Sequence, residues 1–458
     1  MNELTYSLET DGALPLYEQL YRQIARDILQ GRLAGGTRLP SRRALSRHLG
    51  ISEQTALSAL ELLRAEGFVR AVAKSGYFVE DIRPLPDMPE RKRGLAAERE
   101  RPPLYDFSPQ STDVRLFPYK IWTRLIRETL LNEPELMNRG HPQGERSLRE
   151  ALAGFLYQYR GAHCPAERLV VSSGVDQLLA VIAALFDKPL RVACEDPGYQ
   201  EALRVFGRSI HQALPLPLDE QGLSVEALER SGADIAYITP AHQFPTGISM
   251  PAGRRAELLH WAARREGRYI IEDDYDSEFR YASRPLPALQ GIDAHDRVIY
   301  LSTFSRTLAP GMRIAYMALP AALASRYESL RLRGGEAVSR YEQKAMARLL
   351  EEGHYTRHLR KAGGVYQRRS ETLCALLREI PGAWLRGEEA GLHFLFGIKG
   401  HREEELVRAA GRAGIPLQGL AQYCGKARQE PALVLGFAGL SDDQPATAVQ
   451  ALRAAWQV

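Results

Sequence analysis

Two groups of residues in this chain of 458 have types and spacings that could do chemistry. The first is a series of segments between residues 172 and 313: Ser172-Ser173-Gly174-Val175, Glu195-Asp196-Pro197-Gly198-Tyr199, Thr239 to Gly247, Glu272 to Phe279, and Ser302 to Arg313. Ser172 to Gln177 opens an apolar, helix-like run from Leu178 to Phe186, and free backbone N–H groups at a helix start bind phosphate. In the last segment, position 306 is arginine. A guanidinium stays protonated at any accessible pH, with a pKa above about 12, and is a poor nucleophile; a lysine can expose a neutral amine that attacks an aldehyde. No lysine occurs between Lys188 and Lys344, so this interval offers charge without an amine. The second group, Arg38, Arg42, Arg43, Arg47 and His48, is basic with no acidic residue among its members, and suits the positioning of nucleic-acid phosphates.

The elements that must hold these groups divide into unlike halves. Before residue 82, short helical patterns end in an alternating stretch; after residue 103, helices and short apolar strands alternate for some 350 residues, as in α/β architecture. Between them, 82–103 is rich in proline, arginine and glutamate with little apolar periodicity and reads as an exposed linker. The expected domains are therefore 1–81 and 104–458. A hydrophobic content of 45% and a charged content of 25% are ordinary for a globular protein, and a net charge of +4 does not by itself imply nucleic acid. Cys164, Cys194, Cys374 and Cys424 are far apart and form no CxxC pair, which points away from a disulfide framework or a zinc site and fits a reducing cytosol. The polar N-terminus is unlike a signal peptide, and the longest apolar run is too short to cross a bilayer. The expectation is a cytoplasmic protein with no membrane segment and no metal.

In the first half, Leu16, Leu20, Ile24 and Ile28 mark one face of a helix that stops near Gly31. Ser41 is placed to cap a helix from Arg42 to Leu49, Gly50 breaks the chain, and Ser52 caps a third helix with Leu57, Leu60 and Leu63 on its buried side. Phe68 to Val79, interrupted by Lys74-Ser75-Gly76, reads as a hairpin. The series P-L-Y-x-Q-L, G-x-L-x-x-G-x-R-L-P-S-x-R-x-L, L-G-I-S-x-x-T and L-x-x-E-G-F, over Leu14 to about Asp81, closely resembles the GntR-type winged helix-turn-helix. The resemblance implies a double-stranded DNA operator as partner, contacted by Arg38, Ser41, Arg42, Arg43, Ser52, Glu53, Gln54, Thr55 and the wing's Lys74. Where that family usually has S-R-x-T, this chain reads Ser52-Glu53-Gln54-Thr55. A carboxylate repels phosphates but can accept from cytosine N4, and glutamine can pair with adenine, so either specificity has changed, which the remaining arginines favour, or DNA binding is weakened.

From Asp106 onward the chain resembles the fold-type I aminotransferase-like domain of MocR/GabR regulators. Leu116-Phe117-Pro118 with Trp122, Gly144-x-x-x-Leu148-Arg149 and Arg160-Gly161 occur in family order, and Thr239-Pro240-Ala241-His242-Gln243-Phe244-Pro245-Thr246-Gly247 is nearly diagnostic. The resemblance implies pyridoxal 5′-phosphate and a set of cofactor-binding residues: Gly174 and Val175 at a phosphate cradle, Tyr199 stacked on the ring, and Gln243 at its edge. Asp273 would pair with the pyridinium nitrogen and Tyr275 with the phenolic oxygen. Thr303, Ser305 and Arg313 would hold the phosphate, beside Arg306. Arg306 stands at the Schiff-base lysine position, so a lysine aldimine there is ruled out by chemistry, and no catalytic residue is assigned. Its implied partners are the phosphate, the aldehyde oxygen or Asp273; alternatively it fills the vacated space and salt-bridges a neighbour. Leu433-Val434-Leu435 also lacks the arginine that grips a substrate carboxylate in catalytic relatives.

The resulting expectation is a DNA-binding transcriptional regulator, a head-to-tail homodimer. Its aminotransferase-fold domain senses an amine, an amino acid or a pyridoxal phosphate-like effector, with the cofactor noncovalent if bound, or lost. Two alternatives remain open: an aminotransferase with an appended DNA-binding module, and a DNA-binding dimer with a vestigial ligand site.

Overall fold

A computed structural model describes residues 6–9, 14–82, 103–281, 287–330, 337–425 and 430–458. They sort into two units, Met1–Arg101 and Pro102–Val458. The linker expected at 82–103 lies almost wholly outside the described residues.

In the first unit, helices α1 (Leu16–Leu29), α2 (Arg42–Leu49) and α3 (Glu53–Ala65) precede an antiparallel hairpin of β1 (Val69–Val72) and β2 (Gly76–Val79). The serines end the helices as their chemistry requires: Ser41 Oγ accepts from the Ala44 N–H at 3.2 Å and Ser52 Oγ from the Thr55 N–H at 3.0 Å. Between α2 and α3, Gly50 sits at φ 66°, a left-handed turn that costs a Cβ-bearing residue energy. Leu20, Ile24 and Ile28 pack against Leu45, Leu60 and Leu63 to make the core. Leu57, expected on the buried side of α3, is only half-buried; Ala56 and Ala59 take the buried positions instead, because small side chains let the helices approach closely.

In the second unit, the central sheet contains β3 (Leu169–Ser172), β4 (Arg191–Asp196), β5 (Gln212–Asp219), β6 (Gly222–Leu223), β7 (Ile235–Ile238), β8 (Tyr269–Asp273), β9 (Val298–Thr303) and β10 (Ala315–Ala318). Their order is β3-β10-β9-β8-β7-β4-β5-β6. The run β9-β8-β7-β4-β5 is parallel, while β10 runs antiparallel to both its neighbours. Val192, Ile235, Ile238, Ile270, Ile271, Ile299 and Leu301 are fully buried, the apolar signature of a parallel sheet covered on both faces. A second, antiparallel sheet comprises β11 (Ala383–Arg386), β12 (His393–Ile398), β13 (Gln418–Gly419) and β14 (Leu433–Gly436) in the order β11-β12-β14-β13. It packs through Phe394, Phe396, Leu433 and Leu435 on the long helix His354–Arg378. Among the described residues, no helix is long and apolar enough to cross a membrane.

Strand direction brings the chemistry to one edge. The carboxyl ends of β3, β4, β7, β8 and β9 deliver Ser172, Asp196, Thr239, Asp273 and Thr303 side by side, and β10 begins at the same edge just after Arg313. Ligands of open α/β sheets bind outside the carboxyl ends of the strands. The acidic run at the end of β8 is sorted by the two-residue alternation of side chains. Glu272 accepts the backbone N–H groups of Leu289 at 2.7 Å and Gln290 at 2.9 Å. Asp274 takes Arg160 Nε at 2.7 Å and the Tyr300 hydroxyl at 2.5 Å, leaving Asp273 for the cleft. The Arg160–Asp274 pair is buried on both sides, so removing one partner strands a charge. Asp274→Ala should lower the free energy of unfolding by about 3–5 kcal/mol, read by urea denaturation; a loss under about 1 kcal/mol would contradict this role for the pair.

Candidate functional site

A cleft of ≈ 500 Å³ opens at that strand edge, and every residue expected to touch a cofactor lines it except Gln243. Gly174, Val175, Tyr199, Asp273, Tyr275, Thr303, Ser305, Arg306 and Arg313 face it, joined by residues the sequence did not single out, among them Arg204 and Tyr423. Gln243 is buried behind the wall. Its amide donates to Glu195 Oε2 at 3.1 Å and to the carbonyls of Pro197 and Phe244, and its oxygen accepts from Thr246. All its hydrogen-bonding capacity is spent on the loop, which corrects the expectation of a cofactor-edge contact.

Gly174 starts helix α6, the third helix of the second unit after α4 (Tyr119–Asn132) and α5 (Arg146–Arg160); α6 spans Val175–Ala184. Its φ of 146° is open to glycine, and a Cβ there would lie 2.3 Å from Arg313 Nη2. Arg313 also pairs with Asp176 Oδ2 at 3.6 Å, while remaining more than half exposed. Backbone N–H groups, a guanidinium and the Ser305 hydroxyl thus converge on one end of the cleft, a set suited to phosphate. Thr303 contributes less than expected: its hydroxyl donates to the Ile314 carbonyl at 3.3 Å and accepts from the Ser305 N–H.

Asp273 is buried. One carboxylate oxygen accepts a short hydrogen bond from the Tyr237 hydroxyl, and Oδ1 has no partner among the described residues. Burial pushes its carboxyl up to about 7, opposed by the Tyr237 hydrogen bond and reinforced by the charges of Asp274 and Asp276. An orphaned buried acceptor on a cleft wall fits a ring N–H. Tyr199 stacks near Tyr237, with ring centroids 6.5 Å apart. Tyr275 departs from its expected contact: its hydroxyl donates to the His242 carbonyl at 2.8 Å and lies 3.1 Å from His242 Nδ1, so in this conformation it is committed to the wall.

Arg306 is half-buried, but both terminal nitrogens of its guanidinium are out of solvent and have no hydrogen-bond partner among the described residues. It makes no salt bridge with Asp273 or another described residue, which departs from the reading in which it pairs with a neighbour. Its charge is felt at Tyr275, Tyr366, His393 and Tyr423. The residues present therefore fit the ring and phosphate of pyridoxal phosphate but not its covalent attachment, since no lysine is among the described residues that line the cleft.

Next to the cleft, His242, Asp276 and His393 form a buried cluster that sequence reasoning missed because its members come from three separate segments. His242 Nδ1 lies 3.1 Å from Asp276 Oδ2, and the two imidazole centroids are 4.7 Å apart. Burial drives His393 well below the usual histidine range, with His242 and the Arg306 charge acting in the same direction, so the ring is neutral. That positive field also weighs against a cation in the cluster.

In the first unit, all the residues expected at DNA are exposed except the half-buried Thr55. Lys74 marks the hairpin turn at φ 59°. Glu53 reaches back across the turn, 3.4 Å from Arg42 Nε and 3.6 Å from Arg43 Nε. The arginine group that looks free of acids along the sequence thus has one in space.

Asp273 also sets a pH signature. Between its model-peptide value of 3.8 and about 7, the native state holds a proton that the unfolded chain has released, so stability falls as pH rises through that window. Asp273→Asn should shrink the drop in melting temperature between about pH 5 and pH 8; an unchanged drop would contradict the burial described.

Residues 16–79 match the family described as bacterial regulatory proteins, gntR family, and residues 112–452 match aminotransferase class I and II. The chain is 34% identical to the uncharacterized HTH-type transcriptional regulator YdeL of Bacillus subtilis, over 100% of both chains. It is 31% identical to the probable rhizopine catabolism regulatory protein MocR of Rhizobium meliloti, covering 98% of this chain and 95% of that one. It is also 31% identical to the pyridoxine biosynthesis regulator PdxR of Corynebacterium glutamicum, over 96% of each. A Pyrococcus horikoshii kynurenine aminotransferase shares the fold, with a TM-score of 0.68 and 24% identity over 77% of this chain and 90% of that one. The chain belongs to the gntR family of bacterial regulatory proteins, among the HTH-type transcriptional regulators that carry an aminotransferase-like domain.

Proposed function

We propose that this DNA-binding regulator uses its aminotransferase-fold domain as a noncovalent sensor for pyridoxal phosphate or a related anionic small molecule. The observation that carries the reading is the Arg306 guanidinium, whose terminal nitrogens are out of solvent and without an acceptor among the described residues, in a cleft where Gly174, Ser305 and Arg313 suit a phosphate. A buried charge left unpaired is costly, and an anionic ligand relieves that cost. Bound here, pyridoxal phosphate supplies an electron-withdrawing ring. Asp273 would hold its ring nitrogen, Tyr199 would cover its face, and Gly174, Val175, Ser305 and Arg313 would hold its phosphate. Transamination is not proposed, because neither an amine nor a carboxylate-binding arginine on β14 is supplied by these segments. As in MocR/GabR-like proteins, the working form is a head-to-tail homodimer in the cytoplasm that binds an operator in double-stranded DNA, with ligand binding shifting its conformation.

Equilibrium dialysis of the dimer against pyridoxal phosphate, with Arg306→Lys alongside, tests the ligand. The wild-type chain should bind without an aldimine absorbance band and the variant should acquire one. Absence of binding by the wild-type chain would overturn the reading and favour a vestigial site. On DNA, Arg43→Ala should weaken operator binding and reduce the slope of log affinity against log salt by about 1. Glu53→Gln should do the opposite for phosphate contacts, tightening nonspecific binding several-fold, because it releases Arg42 and Arg43. Unchanged affinities in gel shifts would displace the DNA face from α2 and α3.

A further inference from the structure

Two arginines line the cleft and differ in what they lack. Arg313 already has a countercharge in Asp176, at 3.6 Å, and stays open to water. Arg306 has neither: its Nη1 and Nη2 are out of solvent with no acceptor among the described residues. Its charge is felt at Tyr275, Tyr366, His393 and Tyr423, three phenols and a neutral imidazole. Asp276 and Asp273 each have one oxygen engaged, by His242 and by Tyr237, and neither pairs with Arg306.

This pattern discriminates among ligand groups. An aldehyde oxygen placed there accepts a hydrogen bond but leaves the charge uncompensated. An ammonium group repels it. A carboxylate accepts two parallel N–H bonds from the planar fork, once the side chain turns the fork into the cleft, and cancels the charge. Asp273, which also lines the cleft, makes a separate demand, for a donor to its Oδ1.

We propose that the cleft is selective for a planar, nitrogen-containing ring acid that carries a phosphate and a ring carboxylate, the carboxylate facing Arg306. The inference rests on the noncovalent-sensor reading and narrows its ligand class. In relation to pyridoxal phosphate, the preferred ligand has a carboxylate in place of the aldehyde. The regulator then responds to a ready-made acid, and free amines and amino acids do not compete through imine exchange.

The test is calorimetric titration of the full-length dimer with 4-pyridoxic acid 5′-phosphate, pyridoxal 5′-phosphate and pyridoxamine 5′-phosphate. Wild type and Arg306→Gln are compared, with melting curves recorded for both without ligand. The acid should bind wild type at least about tenfold more tightly than the aldehyde, equivalent to about 1.4 kcal/mol, and the amine should bind most weakly. Arg306→Gln should abolish the preference for the acid while melting no lower than wild type, since it removes an unpaired charge rather than a contact. An aldehyde that binds as tightly as the acid, or a preference that survives Arg306→Gln, overturns the inference and leaves the noncovalent sensor standing. Failure of all three compounds to bind wild type overturns both.

Discussion

A guanidinium that cannot give up its proton, its terminal nitrogens out of solvent and without a partner among the described residues, is the constraint on which the proposed ligand site depends. A lysine in the same place could shed its charge, and a solvated arginine could share its charge with water. Arg306 cannot shed its charge, and its terminal nitrogens have neither water nor an acceptor among the described residues. The energetic asymmetry lies in the free protein, and binding an anion removes it. Affinity at such a site comes from relieving a defect already present in the fold.

The fold keeps this arrangement by directing the acids away from it. On β8 the alternation of side chains hands Glu272 to backbone N–H groups of Leu289 and Gln290, and Asp274 to Arg160 and Tyr300. Only Asp273 reaches the cleft, and Tyr237 occupies one of its oxygens. Asp276 is held by His242 and by the Leu392 N–H. None of these acids pairs with Arg306, so its positive charge and the orphaned acceptor of Asp273 persist together at the cleft.

Much of this was legible in the sequence, for physical reasons. Helix-capping serines, Gly50 and the apolar spacing of α1 are local signals, and they gave the winged helix with its turn in place. The segments now gathered at the strand ends were readable because a parallel sheet brings successive carboxyl ends to one edge. What the sequence hid depends on side-chain direction and long-range approach. Gln243 sits in the most distinctive motif of the chain, yet its amide ties down its own loop. Tyr275 turns its hydroxyl to His242. Leu57 gives way to alanines one position before it and two after it, a shift of face that periodicity alone does not resolve. Glu53 meets Arg42 and Arg43 only because the turn at Gly50 folds α3 back toward α2.

As proposed, the second unit holds its ligand by charge and not by a covalent bond. The most direct measurement is borohydride reduction of the dimer incubated with pyridoxal phosphate, followed by intact-mass analysis and assay of the released cofactor. The account predicts bound cofactor before denaturation and an unmodified chain mass afterward. A stable lysyl adduct, or no cofactor retained at all, would contradict it.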